Sequence, residues 1–347
     1  MINLGTPESP GPSDVRRYLR EFLMDPRVID LPAWKRWLVV NMILISRPRA
    51  SGEAYAKIWT EQGSPLLVHS RALVDKISRR LPELRVELGM RYGNPSIASA
   101  LQRLRADGVD KVVVFPLYPQ YSSAANGSSL DKVYAEAARL WNVPDIETIP
   151  PFYDDPGFIA ACAAQARPMI DDVDPEKIYF SFHGLPERHV AKSDESGEHC
   201  LRSADCCARI VETNRHCYRA QCHATARLLA ERLGIPDDKY VICFQSRLGR
   251  DPWIKPYTDH VMIEHARAGV KRAVILSPAF VADCLETLEE LRIRAVADWT
   301  AHGGERLEVV PCINSDERWV DAAIDLVRRN STATIVGHAA AAGAVTR

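Results

Sequence analysis

The hydrophobic pattern alternates between two periods along most of the chain. Short runs rich in β-branched residues are followed by loops rich in Pro, Ser or Gly, and then by segments with helical periodicity. This alternation predicts a parallel sheet covered by helices on both faces. The clearest strands are predicted at residues 111–115, 178–182, 240–244, 273–276 and 307–310. In such sheets, functional side chains gather at the carboxyl ends of the strands.

The two halves of the chain resemble each other. RADGVDKVVV at 105–114 matches ARAGVKRAVI at 266–275, each as a helix end, a glycine stop and a buried strand. Earlier in each half, LGTPE at 4–8 matches HGLPE at 183–187. We therefore predict an α/β fold of two similar doubly wound, Rossmann-like domains that face each other across a cleft.

The predicted boundaries follow from this repeat. The N-terminal domain is expected at 1–150 with a pocket lip at about 20–50, and the C-terminal domain at 151–330 with a cysteine-rich insertion at 195–222. Residues 331–347 contain a run of alanines and are expected to form a flexible tail.

Charge and length narrow the function classes. A chain of 347 residues suits two domains of ordinary size. The net charge of -1 provides no broad basic field, which argues against a nucleic-acid partner. The N-terminus shows no secretion signal, so we expect a cytoplasmic protein.

The longest apolar run, residues 37–45, is interrupted by Asn41 and falls short of the roughly 20 residues needed to span a bilayer. Its flanks contain Lys35, Arg36, Arg47 and Arg49, together with Trp34 and Trp37. Two interpretations stay open: an ordinary buried helix, or a segment that dips into a membrane interface and gives peripheral contact with the cytoplasmic face.

His183 is the first candidate for chemistry. It is expected where a buried strand stops, followed by Gly184 and Pro186, which fix a turn. This position predicts an imidazole at the cleft. A histidine after a strand is more often structural when taken alone, so the interpretation depends on what faces it.

Acidic residues in the segment DCLETLEE at 283–290 provide that partner. Asp283 suits a helix N-cap, with Glu286 at the capping-box position, and this capping role is the purely structural interpretation of both. A helix would also place Glu286 and Glu290 on one face. If that face lines the cleft opposite His183, the groups can accept protons and hold a divalent metal.

Seven motifs in order from residue 2 to about 329 resemble the bacterial ferrochelatases. They are NLGTP at 3–7, GSPL at 63–66, GMRYG at 89–93, PLYPQYS at 116–122, FHGLP at 182–186, FQSRLGRDPW at 244–253 and DCLETLEE at 283–290. The resemblance implies a two-domain chelatase fold and insertion of Fe(II), the substrate metal, into a porphyrin. It is interrupted mainly at 195–220.

The resemblance also implies residue roles. His183 is expected to receive pyrrole protons or contact the iron, with Glu286 as its acidic partner and metal contact, and Glu290 as the next acidic group. Trp253 and Tyr121 match residues that shape the macrocycle pocket. By residue type, Tyr118 could add to the aromatic wall, Arg91 and Ser122 could bind propionates, and Asp283 is a further candidate for substrate binding. In animal and fungal relatives a histidine stands at the position of Cys284, so a mechanism with two histidines is in doubt here.

Five of the nine cysteines lie between residues 200 and 222: Cys200, Cys206, Cys207, Cys217 and Cys222. Such crowding is poorly explained by core packing and favours a metal centre. Zinc and a [2Fe–2S] cluster both take four thiolates, but zinc sites usually contain C-x2-C pairs, which this segment lacks. Similarity to ferrochelatases with an internal [2Fe–2S] cluster favours iron–sulfur on Cys200, Cys207, Cys217 and Cys222, with Cys206 as the alternative to Cys207.

Three functions stay open at this point. The first is protohaem formation from protoporphyrin IX, the last step of haem biosynthesis. The second is metallation of another tetrapyrrole, coproporphyrin or sirohydrochlorin. The third is a non-enzymatic redox or iron sensor on the same scaffold, which the presence of both His183 and Glu286 disfavours.

Overall fold

A computed structural model describes residues 1–249 and 251–331. The eight strands are β1 (Ile2–Gly5), β2 (Gly89–Tyr92), β3 (Lys111–Val114), β4 (Asp145–Thr148), β5 (Lys177–His183), β6 (Tyr240–Gln245), β7 (Arg272–Leu276) and β8 (Arg306–Val309). The α-helices are α1 (Pro12–Leu23), α2 (Ala33–Ile58), α3 (Pro65–Arg80), α4 (Ile97–Ala106), α5 (Ser128–Ala137), α6 (Pro156–Val173), α7 (Glu187–Lys192), α8 (Tyr218–Leu233), α9 (Thr258–Arg267), α10 (Val296–Ala301) and α11 (Glu317–Asn330). Two π-helices, Ser123–Gly127 and Glu286–Ala295, and a short 3₁₀-helix, Glu212–Asn214, complete the described chain.

Both halves contain a parallel sheet with the same strand order. In the N-terminal half β1 pairs with β2 and β3 pairs with β4, and a bridge between Ile2 and Pro116 joins the two pairs. The resulting order is β2-β1-β3-β4. The C-terminal sheet has the order β6-β5-β7-β8. The predicted doubly wound α/β fold is confirmed.

Strand β5 shows why the hydrophobic runs are continuous. Phe180 and its alternate neighbours belong to a core shared with α6, α8 and α11, whereas Tyr179 packs with Ile275 and Trp299 on the opposite face. Because helices cover both faces, every position in the strand favours an apolar side chain. The strand therefore delivers its last residue, His183, to the edge of a rigid sheet.

The five predicted strands are all present, with ends that differ by at most one residue. Strands β1, β2 and β4 were missed by the sequence prediction. Their sequences INLG, GMRY and DIET mix polar and apolar residues, and β4 contains no fully buried position. The tail predicted at 331–347 lies outside the described residues from position 332 onward.

Helix α2 contains the apolar run considered above, and its first half is exposed. Trp34, Trp37, Met42 and Ile45 have between 53% and 77% of their surface open, whereas Val40 and Leu44 are buried against α1. The interpretation as an ordinary buried helix is therefore wrong for the outer face of the run. Within residues 1–249 and 251–331, no helix is long and apolar enough to cross a membrane.

The acidic segment after β7 forms a π-helix, Glu286–Ala295, with Leu285 at its N-cap. The predicted capping box between Asp283 and Glu286 is wrong, because the N-cap is Leu285, two residues beyond Asp283, and no side chain caps the helix. The Asp283 carboxylate instead accepts hydrogen bonds from the Thr287 hydroxyl at 2.9 Å and the Asn314 amide at 2.8 Å. These bonds fix the loop that leads into the π-helix.

Candidate active site

A cavity open to solvent lies between the two halves, at the carboxyl ends of β1 and β5. Its empty volume, including the mouth, is about 1020 Å³, which is ample for a small-molecule ligand. Most of its wall is apolar or aromatic. The lining consists of residues 3–6, Tyr18, Phe22, Tyr55, Ser64, Leu66, Leu117, Tyr118, Gln120, Ser122, Ala124, Ala125, His183, Leu185, Tyr218 and residues 279–282 and 284–286.

His183 reaches this cavity from the end of β5. Its Nδ1 lies 2.6 Å from the carbonyl oxygen of Gly184. Because a carbonyl only accepts hydrogen bonds, Nδ1 carries the proton in this contact, and the neutral ring keeps a lone pair on Nε2. The imidazole is therefore held in the tautomer of a proton acceptor.

Gly184 is required by close packing behind the imidazole. A Cβ at this position would lie 2.8 Å from the Gln245 carbonyl oxygen and 3.2 Å from the Trp253 ring. The rings of Trp253 and Phe280 lie 6.5 and 6.3 Å from that of His183. Trp253 thus packs behind the histidine and lies outside the cavity lining, so its predicted contact with a macrocycle stays a prediction.

Glu286 enters the cavity from the first residue of the π-helix. Its backbone carbonyl accepts a hydrogen bond from the Gln245 amide at 3.1 Å, and Gln245 is itself held by the Ser181 hydroxyl at 2.6 Å. The π-helix is thereby tied to the C-terminal sheet beside His183. The sequence prediction that His183 and Glu286 reach one cleft is consistent with this placement.

Glu290 lies behind Glu286, outside the cavity lining. It accepts hydrogen bonds from the backbone N–H and the hydroxyl of Ser246. Burial raises the pKa of the Glu290 carboxyl, and the charge of nearby Glu286 raises it further, although the Ser246 hydroxyl and His183 oppose the shift. The three groups therefore interact electrostatically.

Two buried tyrosines complete the site, and the sequence prediction missed both. Tyr18 on α1 and Tyr55 on α2 line the cavity. Burial raises the pKa of each phenol well above its usual range, and the Glu286 charge adds to the shift. Both therefore stay protonated and can donate hydrogen bonds. In the sequence, both are aromatic residues within helices, and nothing distinguishes them from tyrosines that only pack in the core.

Four of the six residues predicted to bind substrate occupy three kinds of position. Tyr118 and Ser122 line the cavity. Tyr121 lies next to the lining, with its ring packed 5.4 Å from that of His216. Asp283 is buried in the loop before the π-helix.

Arg91 points into the N-terminal half. Its guanidinium forms an ion pair with Asp25 and donates to the Ser128 hydroxyl at 2.6 Å, with only 12% of the side chain exposed. Arg91 and Asp25 therefore belong to an internal network, in which the Tyr92 hydroxyl also donates a hydrogen bond to Asp25. Binding of substrate by Arg91 stays a prediction, and among the described residues Tyr118 and Ser122 are better placed.

All five clustered cysteines are buried around the N-terminus of α8. The sulfur atoms of Cys206 and Cys207 lie 3.8 Å apart, and the Arg219 guanidinium lies 3.7 and 3.3 Å from them. Cys217 perturbs the pKa of both the Cys207 and the Cys200 thiol, so those side chains approach it closely. Adjacent side chains usually point in different directions, which would leave one cysteine of the pair as a ligand, but Cys206 and Cys207 point to the same place.

Within residues 1–249 and 251–331, no group of three or more histidine, cysteine or acidic side chains is arranged to hold a metal ion. The five thiols therefore converge without forming a closed coordination site, and His183 and Glu286 by themselves offer only two ligands.

Known proteins resemble this chain in fold, and others resemble it in sequence. SirB from Bacillus subtilis, solved with Fe3+, superposes with a TM-score of 0.52 at 15% identity, over 76% of this chain and 89% of that chain. A second SirB structure, described as a sirohydrochlorin chelatase in complex with cobalt, superposes with a TM-score of 0.51 at 12% identity, over 78% and 92%. At such low identity the likeness concerns the fold alone.

Sequence relatives are much closer. The ferrochelatase of Pseudomonas fluorescens is 46% identical over 338 residues, covering 96% of this chain and 98% of the relative. The ferrochelatase of Coxiella burnetii is 42% identical over 332 residues, covering 95% and 92%. The ferrochelatase family model matches residues 1–331.

Two facing parallel sheets of equal strand order, with a histidine and a glutamate in the cavity between them, define a protein of the chelatase class. Its relatives and the family match then settle which chelatase. The chain belongs to the ferrochelatase family.

Proposed function

We propose that this enzyme inserts Fe(II) into protoporphyrin IX and forms protohaem, the last step of haem biosynthesis. The observation that carries the proposal is the single cavity lined by both His183 and Glu286, in a chain of the ferrochelatase family. Its apolar and aromatic wall suits a flat macrocycle.

The chemistry requires a base and a metal path. Two pyrrole N–H protons leave the macrocycle as iron enters. His183 Nε2 accepts a pyrrole proton, because Nδ1 is already protonated towards Gly184. Glu286 faces the same space, contacts the incoming iron and accepts the second pyrrole proton, because the Nε2 lone pair of His183 is taken by the first proton. Glu290, held by Ser246, is the next acidic group behind Glu286.

Substrate identity is the finer part of the proposal. Sirohydrochlorin and coproporphyrin are the alternative macrocycles, and an iron or redox sensor is the non-enzymatic alternative. The deciding experiment measures insertion into protoporphyrin IX, coproporphyrin and sirohydrochlorin, by loss of macrocycle fluorescence for Fe(II) and by the shift of the emission for Zn(II). Preference for protoporphyrin IX is expected. Preference for another macrocycle, or no insertion at all, would overturn the assignment.

A [2Fe–2S] cluster on Cys200, Cys207, Cys217 and Cys222 is the second finer proposal. The donor set fits, because the thiols are buried and converge, and Arg219 supplies a cation beside a centre that would be anionic. The side chains must still reorient to close the site, given the absence of a ready metal site among the described residues. When bound, such a cluster supplies one-electron redox chemistry, and no step of iron insertion described above passes through it.

The third finer proposal is peripheral contact with a membrane on its cytoplasmic side. The exposed face of α2 contains Trp34, Trp37, Met42 and Ile45, with Lys35 beside them. Tryptophans, aliphatic side chains and flanking cations are typical of segments that lie in a membrane interface. Because α2 also contributes Tyr55 to the cavity, such contact would bring the pocket near an apolar substrate source.

A further inference from the structure

The cysteine-rich segment and the cavity meet on one helix. Helix α8 has Cys217 at its N-cap and Cys222 in its second turn. Between them, Tyr218 lines the cavity. Tyr218 is 7% exposed and directly follows Cys217, so the cavity wall adjoins the thiol cluster.

Gln221 lies between these two cysteines and joins the insertion to the cavity loop. It is 2% exposed. Its Oε1 accepts a hydrogen bond from the backbone N–H of Tyr121 at 2.6 Å, and its Nε2 donates to the carbonyl oxygen of Arg215 at 2.6 Å. One side chain thus links residues 118–122, which include Tyr118 and Ser122 of the lining, to the loop between Cys207 and Cys217.

Two further contacts support this link. The His216 ring packs against that of Tyr121, and Thr225 on α8 accepts a hydrogen bond from the cavity-lining Gln120 amide at 3.0 Å. Gln120, which lines the cavity, and its neighbour Tyr121 are therefore both held by α8, whose N-cap is Cys217. A change in the thiols that shifts the start of α8 has a direct route to the cavity wall.

We propose that Gln221 is a positioning residue that couples the thiol cluster to the macrocycle pocket, so that ligation of the thiols sets the affinity for porphyrin. The inference rests on the proposed porphyrin site, but not on which metal centre the thiols hold. Gln221 acts through the backbone of Tyr121 and touches no reacting atom.

The test measures binding of protoporphyrin IX to the full chain without substrate iron, by porphyrin fluorescence. Gln221→Met preserves the length of the side chain and removes both hydrogen bonds, and a weakening of about fivefold in Kd is expected from loss of a buried bond. Gln221→Glu keeps the acceptor for Tyr121 and loses the donor to Arg215. It should bind porphyrin nearly as well as the wild type, but without dependence on the thiols.

Dependence on the thiols is read from Cys200→Ser, which alters the cluster at a residue outside the cavity lining. It should weaken porphyrin binding severalfold in the wild-type background and leave Kd unchanged in the Gln221→Met and Gln221→Glu backgrounds. Cys162→Ala, which alters a buried thiol outside the cluster, is the matched control and should leave Kd unchanged. In steady-state kinetics, Cys200→Ser should raise the KM for porphyrin and leave kcat nearly constant.

Equal Kd values for Cys200→Ser and wild type would overturn the coupling, as would an effect of Cys200→Ser that persists in both Gln221 variants. If Gln221→Met fails to fold, the comparison within Gln221→Glu decides by itself. Failure of the wild type to bind porphyrin would instead overturn the proposed function, and the inference with it. Binding without dependence on the thiols leaves the proposed function intact.

Discussion

Glu290 accepts two hydrogen bonds from one residue, Ser246, whose backbone N–H and hydroxyl lie 2.9 and 2.6 Å from its two carboxylate oxygens. Ser246 follows β6 and has a positive φ of 67°, a conformation that non-glycine residues rarely adopt. This conformation presents both donors to the same carboxylate. The pair fixes the π-helix against the C-terminal sheet immediately behind Glu286.

Burial of Glu290 predicts a pH-dependent contribution to stability. The folded-state pKa is raised above the unfolded value, so between these two values the folded state binds more protons. The free energy of unfolding therefore falls as pH rises from the ordinary glutamate pKa through the folded pKa. Glu290→Gln removes this loss and can keep both Ser246 contacts, because the amide oxygen accepts from the backbone N–H and the amide NH2 donates to the hydroxyl. We expect Glu290→Gln to raise Tm relative to wild type more at pH 8 than at pH 5.

The control for this measurement is Glu231→Gln, a change at an exposed position on α8. Its effect on Tm should be the same at both pH values. A stabilisation by Glu290→Gln that is larger at pH 5 would contradict the argument.

His183→Ala should abolish metal insertion while the fold survives. The ring packs at the edge of the cavity and its Nδ1 bonds only to the next residue, so few packing contacts depend on it. Retention of more than about a tenth of the wild-type kcat would rule out the assignment as proton acceptor. His302→Ala, at the end of α10, is the control for removal of an imidazole and should keep full activity.

Glu286 and Glu289 lie on the same π-helix, and their substitutions are expected to have different effects: one lowers activity and the other lowers stability. Glu286 faces the cavity, whereas buried Glu289 bonds to Lys57 at 3.0 Å and Arg294 at 2.8 Å. Glu286→Gln should cause severe loss of insertion at an unchanged Tm. Glu289→Gln should instead cost about 1–2 kcal/mol of stability, since its partners are half exposed. Nearly intact activity in Glu286→Gln would leave that residue without a catalytic role.

The cysteine cluster predicts a coloured protein. Anaerobically purified enzyme should be red-brown, with about two iron and two acid-labile sulfides per chain. Iron should survive Cys206→Ser and be lost when Cys200, Cys207, Cys217 or Cys222 is replaced. Iron and sulfide analysis with visible spectra checks each variant. Stoichiometric zinc in a colourless protein would overturn the cluster. Loss of iron with Cys206→Ser but not with Cys207→Ser would reverse only the choice within the adjacent pair.

The exposed face of α2 predicts binding to lipid vesicles. Trp34 and Trp37 should show a blue-shifted emission on addition of vesicles with anionic lipid, and Ile45→Lys should weaken sedimentation with them. Trp141→Ala is the control, because Trp141 is 94% exposed and lies outside α2, between α5 and β4. Equal vesicle binding by wild type and Ile45→Lys would exclude α2 as the contact.

The sequence predicted the elements whose pattern is local and missed those that depend on distant partners. Strands such as β5 follow from continuous apolar runs. The pairing of Arg91 with Asp25 joins residues far apart in sequence, and no periodicity reveals it. The sequence predicts an α-helix where the structure has the π-helix Glu286–Ala295. The two are hard to distinguish, because backbone hydrogen bonds four or five residues apart place Glu286 and Glu290 on nearly the same face. Tyr18 and Tyr55 resemble core residues until the cavity is seen.

The strand order common to both halves has a stereochemical consequence. Leu4 before Gly5 and His183 before Gly184 stand at equivalent ends of β1 and β5, and both line the cavity. The internal repeat therefore supplies an inert aliphatic group at one position and a basic ring at its counterpart. A planar guest seated between Leu4 and His183 would meet a different chemistry on each of its two sides. We therefore expect an unsymmetrically substituted macrocycle to be deprotonated from the enantiotopic face that meets His183.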